Sequence, residues 1–352
     1  MTEKIDIQGL TLPELKKWFA SRGIPEYRGE QVFNWLYKNN VTSFSGMGNL
    51  PEAVITSLKK NFKFAGLISK KRQVSEDGSI KYLWALNDGL RIESVYLPYE
   101  HSGRNSVCIS SQVGCKLGCK FCVTGKHGWQ RNLTTGEIVD QVIKIINDRT
   151  VDNKGNDSFT GLSNIVFMGM GEPLLNIKPV LQAVKIFNEP GGLNIGQRKI
   201  TISTAGIVPG IKKLAAQNNQ LGLAVSLNAP DDKLRNKIMP VNKRYPLSIL
   251  MEAIKDYINL TNRRVTFEYV LLKNVNDGQK QAEQLASLLE NILCHVNLIR
   301  VNTSSQLPYV PPSARKTKEF MHKLKEKGIN VTLRQSKGDD IEAACGQLKG
   351  SR

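Results

Sequence analysis

Residues Gly114-Cys115-Lys116-Leu117-Gly118-Cys119-Lys120-Phe121-Cys122 set three cysteines at the spacing C-x3-C-x2-C. Thiolates are the usual protein ligands of iron–sulfur clusters. Three thiolates on one loop can hold three irons of a [4Fe-4S] cube and leave the fourth iron open to a cofactor. The spacing therefore predicts a [4Fe-4S] cluster on Cys115, Cys119 and Cys122.

Two other interpretations fit the same three thiols. A structural zinc site normally has four ligands, but the chain has no second C-x2-C pair. His127 could complete a zinc site, although four residues separate it from Cys122. The other alternative is three reduced thiols with a purely structural role.

Composition and charge indicate the class of partner. The chain has 352 residues, 40% of them apolar, so it can form one large α/β domain and a smaller one. Its formal charge of +18 predicts a polyanionic partner, and we favour nucleic acid over an anionic membrane surface. No apolar run approaches the roughly 18–20 residues of a transmembrane span.

The amino terminus and the cysteine usage indicate the compartment. The segment Met1-Thr2-Glu3-Lys4-Ile5-Asp6 lacks the apolar region of a signal peptide. Six cysteines, three of them clustered, suit a reducing cytosol better than a disulfide framework. We therefore expect a cytoplasmic protein without a membrane anchor.

The chain divides into three parts by pattern. Residues 1–65 show helical periodicity and predict a small helical accessory domain, which we expect to bind the nucleic-acid partner. Residues 66–104 contain alternating apolar positions around Asp77-Gly78 and Asp88-Gly89, which predict a short β-meander. Residues 105–349 alternate between strand and helix patterns, and such alternation predicts a parallel sheet.

Six or so strand–helix units suggest an α/β fold of a particular kind, a partial (βα)6-type TIM-like barrel. The predicted strands are 105–111, 163–169, 198–204, 222–228, 265–272, 295–302 and 330–336. The predicted helices are 134–148, 177–188, 208–217, 246–261, 277–290 and 313–327. Barrels of this type place their chemistry at the carboxyl ends of the strands. Polar and glycine-rich segments follow several strands there, namely 169–173, 203–206, 226–228, 302 and 338–347.

The cysteine spacing, with Phe121 before the last cysteine, resembles the signature of radical S-adenosylmethionine enzymes. The longer motifs resemble one family of these enzymes, the dual-specificity rRNA and tRNA adenine-C2 methyltransferases, over residues 12 to 349. The motifs that carry this resemblance are Cys108-Ile109-Ser110-Ser111-Gln112-Val113-Gly114-Cys115, Phe167-Met168-Gly169-Met170-Gly171-Glu172-Pro173-Leu174-Leu175-Asn176, Met239-Pro240-Val241-Asn242 and the segment from Gly338 to Gln347.

The resemblance implies a cofactor and the residues that bind it. S-adenosylmethionine would chelate the open iron through its amino and carboxylate groups. One electron would then cleave it to a 5′-deoxyadenosyl radical. The residues implied as its contacts are Gly171, Glu172, Ser203, Ser226, Leu227, Asn228 and Asn302. Asn228 departs from the family pattern, where many members carry histidine.

The resemblance also implies the reaction. It is methylation at C2 of an adenine in the peptidyl-transferase centre of 23S rRNA, and of the adenine next to the anticodon in tRNAs, using two S-adenosylmethionine molecules. Cys345 would become an S-methylcysteine intermediate, and Cys108 would resolve it through a transient disulfide. Glu93 would accept the proton from C2. An external electron donor and a thiol reductant would complete the cycle, and we expect a monomer.

Three rivals remain at this point. A sister family methylates C8 of the same rRNA adenine and confers antibiotic resistance, although Pro173 and Asp339 favour the C2 group. A zinc-containing RNA-binding module would be no enzyme. A glycyl-radical activase shares the C-x3-C-x2-C spacing, but it would not need Cys108 or Cys345. Cys294 matches no functional position and is expected in the core.

Overall fold

The computed structural model describes residues 4–99, 103–152, 159–217 and 219–350. The strands are β1 (Ile5–Asp6), β2 (Phe62–Lys63), β3 (Ile68–Val74), β4 (Ile80–Ala85), β5 (Arg91–Tyr99), β6 (Arg104–Cys108), β7 (Gln112–Gly114), β8 (Trp129–Asn132), β9 (Asn164–Phe167), β10 (Ile200–Thr204), β11 (Gly222–Ser226), β12 (Val265–Leu271), β13 (Cys294–Arg300) and β14 (Val331–Arg334). The helices are α1 (Leu12–Ala20), α2 (Tyr27–Tyr37), α3 (Glu52–Asn61), α4 (Val123–Lys126), α5 (Thr135–Asp152), α6 (Ile177–Asn188), α7 (Val208–Ala215), α8 (Asp232–Ile238), α9 (Leu247–Thr261), α10 (Gln279–Leu288) and α11 (Ala314–Glu326).

One sheet of ten strands organises the molecule, in the order β14-β13-β12-β11-β10-β9-β6-β5-β4-β3. The seven strands from β6 and β9 to β14 pair in parallel, and helices connect them. In the part of the chain that is described, β14 forms one edge and does not pair with β6. The predicted α/β partial barrel is therefore confirmed, and each predicted strand and helix of residues 105–349 overlaps an observed one.

The register of this sheet brings polar residues into neighbouring positions. Ser226 on β11 pairs with Glu268 on β12, and Glu268 pairs with Asn297 on β13. Two residues further along, Ile299 pairs with Arg334 on β14. Side chains two positions apart on a strand point to the same face, so both rows contribute to one wall.

The meander extends the same sheet. Strands β3 to β5 pair in antiparallel fashion, and Val95 of β5 pairs with Cys108 of β6. Both predicted Asp-Gly turns are present, with Gly78 and Gly89 at φ +78° and +81°. The Asp77 carboxylate accepts a hydrogen bond of 2.9 Å from the Gly338 amide, which links this hairpin to the carboxyl-terminal segment.

The aromatic side chains of the amino-terminal module join the hydrophobic core that they share with the barrel. The ring of Trp18 packs against Phe62, with 4.8 Å between centroids, and Phe33 packs against Tyr37 at 4.4 Å. A buried hydrogen bond of 2.8 Å joins Gln8 to Asp140 of α5. The domain limits at residues 65 and 104 stay predictions.

Several short elements were not predicted, including the parallel pair of β1 and β2 within the helical module and the one-turn helix α4. The strands β7 and β8 form a hairpin that encloses the cysteine loop, and α8 precedes the Met239-Pro240 motif. Both strands have fewer than five residues, too few to show an alternating pattern. Among the described residues, no helix combines the length and the apolar character needed to cross a bilayer.

Candidate active site

A cleft opens at the carboxyl ends of the parallel strands, between the cysteine loop and the carboxyl-terminal segment. Its wall includes nine of the thirteen predicted site residues: Cys115, Cys119, Cys122, Gly171, Glu172, Ser203, Ser226, Asn302 and Cys345. They come from six separate parts of the chain, so the fold assembles what the sequence only suggested.

The cysteine loop is held by its backbone. The Cys115 amide donates to the Gly128 carbonyl at 2.7 Å, and the Lys120 amide donates to Ile238, the last residue of α8, at 2.9 Å. Gly118 has φ +64°, a left-handed conformation that suits glycine. The loop conformation therefore depends on the β7–β8 hairpin and on α8.

The three thiols have the chemistry that a cluster requires. Burial raises the pKa of the Cys115 thiol to about 12, and it also raises the pKa values of Cys119 and Cys122. A bound cation would offset that cost, because metal binding deprotonates the coordinating thiol. Among the described residues, no three His, Cys, Asp or Glu side chains converge on one point. A cube does not require such convergence, since each thiolate binds a different iron, and the loop fits that group.

His127 lies apart from the thiols. Its ring is exposed and contacts the Gln306 side chain at 3.0 Å. It is therefore not oriented as a fourth ligand of the cysteine loop.

Glu172 is a buried carboxylate held by backbone amides. It accepts hydrogen bonds from the Ala205 amide at 2.8 Å and the Leu174 amide at 3.1 Å. Burial raises the pKa of this carboxyl to about 7. The preceding Gly171 has φ +96°, and a Cβ there would lie 2.5 Å from the Gln112 side chain, so only glycine fits. The carboxylate is thus fixed where a cationic amino group could reach it.

Leu227 and Asn228 lie behind the cleft wall. Leu227 is fully buried. The Asn228 side chain accepts a hydrogen bond of 2.8 Å from the Val270 amide, and its carbonyl accepts one from Asn276 at 2.8 Å. Asn228 has φ +59°, which asparagine tolerates better than most residues. In this structure both residues support the wall and do not line it.

Cys345 lies where two cavities meet. It lines the cleft with the three loop cysteines, and it also lines a second, smaller pocket with Cys108. The second pocket has mostly apolar walls, including Val95, Leu97 and Val166. The Cys345 side chain is exposed, whereas Cys108 is buried. Burial raises the pKa of the Cys108 thiol to about 12. The structure therefore brings together two cysteines that are far apart in sequence.

Glu93 is buried beneath the carboxyl-terminal segment. Its carboxylate accepts hydrogen bonds from the backbone amides of Lys349 at 2.7 Å and Gly350 at 3.2 Å. Lys81 lies 3.9 Å from the other oxygen. Glu93 lies on the same strand as Val95 and Leu97 of the second pocket, but it does not line that pocket. Its carboxylate is engaged by the segment that bears Cys345.

Sequence reasoning missed three charged residues at this site. Arg235 of α8 is completely buried and donates to the carbonyls of Leu227, Ala205 and Ser226, and to Asn242. Arg334, at the end of β14, lines both cavities. Glu268 lines the cleft from β12. A signal existed only for Glu268, as a single acid within the apolar strand 265–271.

Comparison with known proteins supplies the relatives of this chain. The family model of the Radical SAM superfamily matches residues 109–289, and that of the ribosomal RNA large subunit methyltransferase N-terminal domain matches residues 5–63. The probable dual-specificity RNA methyltransferase RlmN of Geobacillus kaustophilus is 46% identical over 97% of this chain and 92% of its own length. The protein of the same name from Bacillus subtilis is 44% identical over 99% of this chain and 94% of its own.

A solved structure has the same architecture. The radical SAM methyltransferase from Sphaerobacter thermophilus superposes with a TM-score of 0.92 at 43% identity. The match covers 99% of this chain and all of that protein. The likeness extends over the helical module, the meander and the barrel together.

Proposed function

This chain belongs to the RlmN family of radical S-adenosylmethionine RNA methyltransferases, and from that premise we propose that it methylates C2 of adenine. The proposed substrates are the adenine in the peptidyl-transferase centre of 23S rRNA and the adenine next to the anticodon in tRNAs. The near-complete match to the dual-specificity relatives supports both substrates. The proposed cost is two molecules of S-adenosylmethionine for each methyl group delivered.

The position of Cys345 carries the proposal. A thiol that opens onto a cofactor cleft and onto a separate apolar pocket can receive a group on one side and deliver it on the other. The apolar pocket with Cys108 is the proposed site for the target base, which has to leave its stack to reach the enzyme. Neither a zinc-containing binding module nor a glycyl-radical activase would need such a thiol.

The proposed cofactor sites use the residues of the cleft. Cys115, Cys119 and Cys122 would hold the [4Fe-4S] cluster, and the Glu172 carboxylate would accept from the amino group of S-adenosylmethionine. When bound, the cluster and S-adenosylmethionine would together supply a 5′-deoxyadenosyl radical, with the electron coming from an external donor. Gly171, Ser203, Ser226 and Asn302 line the same cleft and would contact the rest of the cofactor. For Leu227 and Asn228, we propose support of the wall and no direct contact.

The proposed chemistry runs through the two cysteines. The Cys345 thiolate displaces S-adenosylhomocysteine from a first cofactor molecule and becomes S-methylcysteine. After a hydrogen atom has been removed from this methyl group, its carbon bonds to adenine C2. The adduct then loses the C2 proton and one electron, for which the oxidised [4Fe-4S] cluster held by Cys115, Cys119 and Cys122 would be the acceptor. Cys108 attacks the sulfur of Cys345, an S–S bond forms as the C–S bond breaks, and the released carbon takes up a proton.

Glu93 is the proposed acceptor of the C2 proton. General bases contribute about 10²–10⁴-fold to such steps. Its carboxylate is engaged with the amides of Lys349 and Gly350. The proposal therefore requires this segment to shift when RNA binds. Undiminished methylation by a Glu93→Gln variant would remove the role.

The charge of +18 supports binding of RNA phosphates. The proposed contact surface is the helical module together with the basic run that follows it. Lys59, Lys60, Lys70 and Lys71 are exposed there. An external electron donor, a thiol that reduces the Cys108–Cys345 disulfide, a cytoplasmic location and a monomeric state complete the proposal.

The regiochemistry of the product tests the proposal. Anaerobically reconstituted protein is incubated with reductant, deuteromethyl S-adenosylmethionine and a 23S rRNA fragment from a strain that lacks the modification. The digested nucleosides are resolved by mass spectrometry against 2-methyladenosine and 8-methyladenosine standards. Labelled 2-methyladenosine is the expected product. Labelled 8-methyladenosine would assign the protein to the C8 reaction instead. If the rRNA yields neither, the same assay on unmodified tRNA decides whether the proposal stands.

A further inference from the structure

Glu268 presents a buried carboxylate to the cofactor cleft. It is 5% exposed, and it pairs in register with Ser226 on the neighbouring strand. Its Oε1 accepts a hydrogen bond of 3.0 Å from the Asn297 side chain. Its Oε2 is buried and has no hydrogen-bond partner among the described residues. One half of this carboxylate is thus fixed across the sheet, and the other half lacks a donor.

An unpartnered buried carboxylate oxygen needs a physical reason. Leaving a buried acceptor unsatisfied is costly, more so when the group is charged. Arg334 lines the same cleft and attracts the carboxylate electrostatically, but Oε2 has no hydrogen bond to it. A ligand in the cleft could supply the missing donor. The terminal torsion of a glutamate is soft, so a small rotation can turn an oxygen toward that ligand.

Few hydrogen-bond donors of S-adenosylmethionine are available to the Glu268 carboxylate. Its amino group is already assigned to the open iron and to Glu172. The donors that remain are the adenine amino group and the two ribose hydroxyls. An acidic side chain beside a ribose is a recurring solution in nucleotide sites, because a carboxylate accepts from the hydroxyls. We propose that Glu268 accepts a hydrogen bond from the ribose 2′-hydroxyl of S-adenosylmethionine. This inference rests on the proposed placement of the cofactor in the cleft.

The proposal assigns Glu268 a role in recognising the adenosyl half of the cofactor. Ser226, its neighbour in the row, would contact the same half. The proposal predicts that wild-type protein discriminates against a 2′-deoxyribose. It also predicts that the discrimination depends on the Glu268 charge.

Equilibrium dialysis of the anaerobically reconstituted protein tests whether Glu268 discriminates ribose from 2′-deoxyribose. The ligands are S-adenosylmethionine, 5′-methylthioadenosine and its 2′-deoxy analogue. The variants are Glu268→Gln, which keeps the side-chain shape, and Glu252→Gln as control, since Glu252 is exposed on α9. Iron content and the melting temperature establish that each variant is folded and loaded.

The expected result is that wild type and Glu252→Gln bind the ribose analogue about 10-fold more tightly than the 2′-deoxy analogue. In Glu268→Gln this ratio is expected to fall to about 2-fold. Equal affinities in wild type would overturn the inference without any variant. An unchanged ratio in Glu268→Gln, or an equal loss for both analogues, would also overturn it. If wild type does not bind S-adenosylmethionine at all, the proposed function fails first.

Discussion

The side-chain amide of Asn302 donates a hydrogen bond of 3.0 Å to the carbonyl oxygen of Cys345. Asn302 follows β13, whereas Cys345 lies in the carboxyl-terminal segment. The bond ties the proposed methyl-carrying residue to the wall of the cofactor cleft. The same segment is also held by Glu93, and the Gly346 carbonyl accepts from Val123 of α4 at 2.8 Å.

Replacing Asn302 with alanine is expected to slow S-methylation of Cys345 about 5-fold, because a hydrogen bond of this kind contributes about 1 kcal/mol. Mass spectrometry of the Cys345 peptide, after reaction with deuteromethyl S-adenosylmethionine, measures the rate. Ser305→Ala is the control, since Ser305 is exposed in the same loop. An unchanged rate in Asn302→Ala would show that the bond does not position Cys345.

Arg235 is expected to stabilise the site as a whole. Its guanidinium joins the ends of β10 and β11, through Ala205 at 2.8 Å and Ser226 at 3.1 Å. Burial lowers the pKa of this guanidinium to about 10, which still leaves it charged at neutral pH. Arg235→Met leaves several buried oxygens without a donor, at about 1–3 kcal/mol for each unsatisfied group.

The free energy of unfolding of Arg235→Met, from urea titration, is therefore expected to fall by about 3 kcal/mol or more. Lys237→Met is the matched control, because Lys237 is exposed on the same helix. A loss no larger than that of the control would contradict the role given to Arg235.

Cys108 makes stability depend on pH in the alkaline range. Its thiol has a pKa of about 12 in the folded protein, against an ordinary value of 9.0. An acid whose pKa is raised by folding contributes stability that is present below the unfolded pKa and is lost as pH rises. The loss begins near pH 9 and continues to about pH 12.

Between pH 9 and pH 10.5, wild type is expected to lose about 2 kcal/mol more than Cys108→Ala. Urea titrations at several pH values in reducing buffer measure the difference, and Cys345→Ala, at an exposed position, is the control. Parallel curves for wild type and Cys108→Ala would contradict the burial of this thiol.

The basic run after the helical module contains one cation that pairs with acidic side chains and a neighbouring one that does not, among the described residues. Arg72 on β3 is 3.1 Å from Asp148 and also pairs with Asp152, whereas Lys71 beside it has no ion pair in the part of the chain that is described. If Lys71 contacts an RNA phosphate, Lys71→Gln reduces the slope of log K against log salt by about 0.7–0.9. Arg72→Gln is expected to change this slope less, because its charge is already compensated. A larger change in slope for Arg72→Gln than for Lys71→Gln would indicate that the RNA does not contact Lys71.

The barrel could be predicted from the sequence because its strand and helix patterns alternate with clear periodicity. The sequence was also sufficient to place Cys345 at the same edge as the three loop cysteines, since polar segments follow strands that are parallel. The burial and the hydrogen-bond partners of each side chain could not be predicted, because they depend on contacts between distant segments. Glu93 is an example, since its partners Lys349 and Gly350 lie 256 and 257 positions away.

The positions of Arg235 and Glu268 at the site could not be predicted from the sequence either. A buried arginine has no sequence signal, since arginine on a short helix is ordinarily exposed. Only the register of β11 and β12 puts Glu268 beside Ser226. Leu227 and Asn228 follow Ser226 directly in sequence, yet they lie behind the wall, where Leu227 is fully buried and Asn228 accepts from the Val270 amide.

In the proposed reaction, Cys345 carries the methyl carbon and Cys108 releases it. The most direct measurement uses Cys108→Ala, incubated with RNA, reductant and deuteromethyl S-adenosylmethionine, followed by ribonuclease and trypsin digestion and mass spectrometry. The expected product is a nucleotide joined through a deuterated methylene group to the peptide that contains Cys345. Cys294→Ala, which lacks a cysteine outside the site, should release methylated RNA and retain no adduct. Free methyladenosine from Cys108→Ala, or an adduct on another residue, would rule out these roles for the two cysteines.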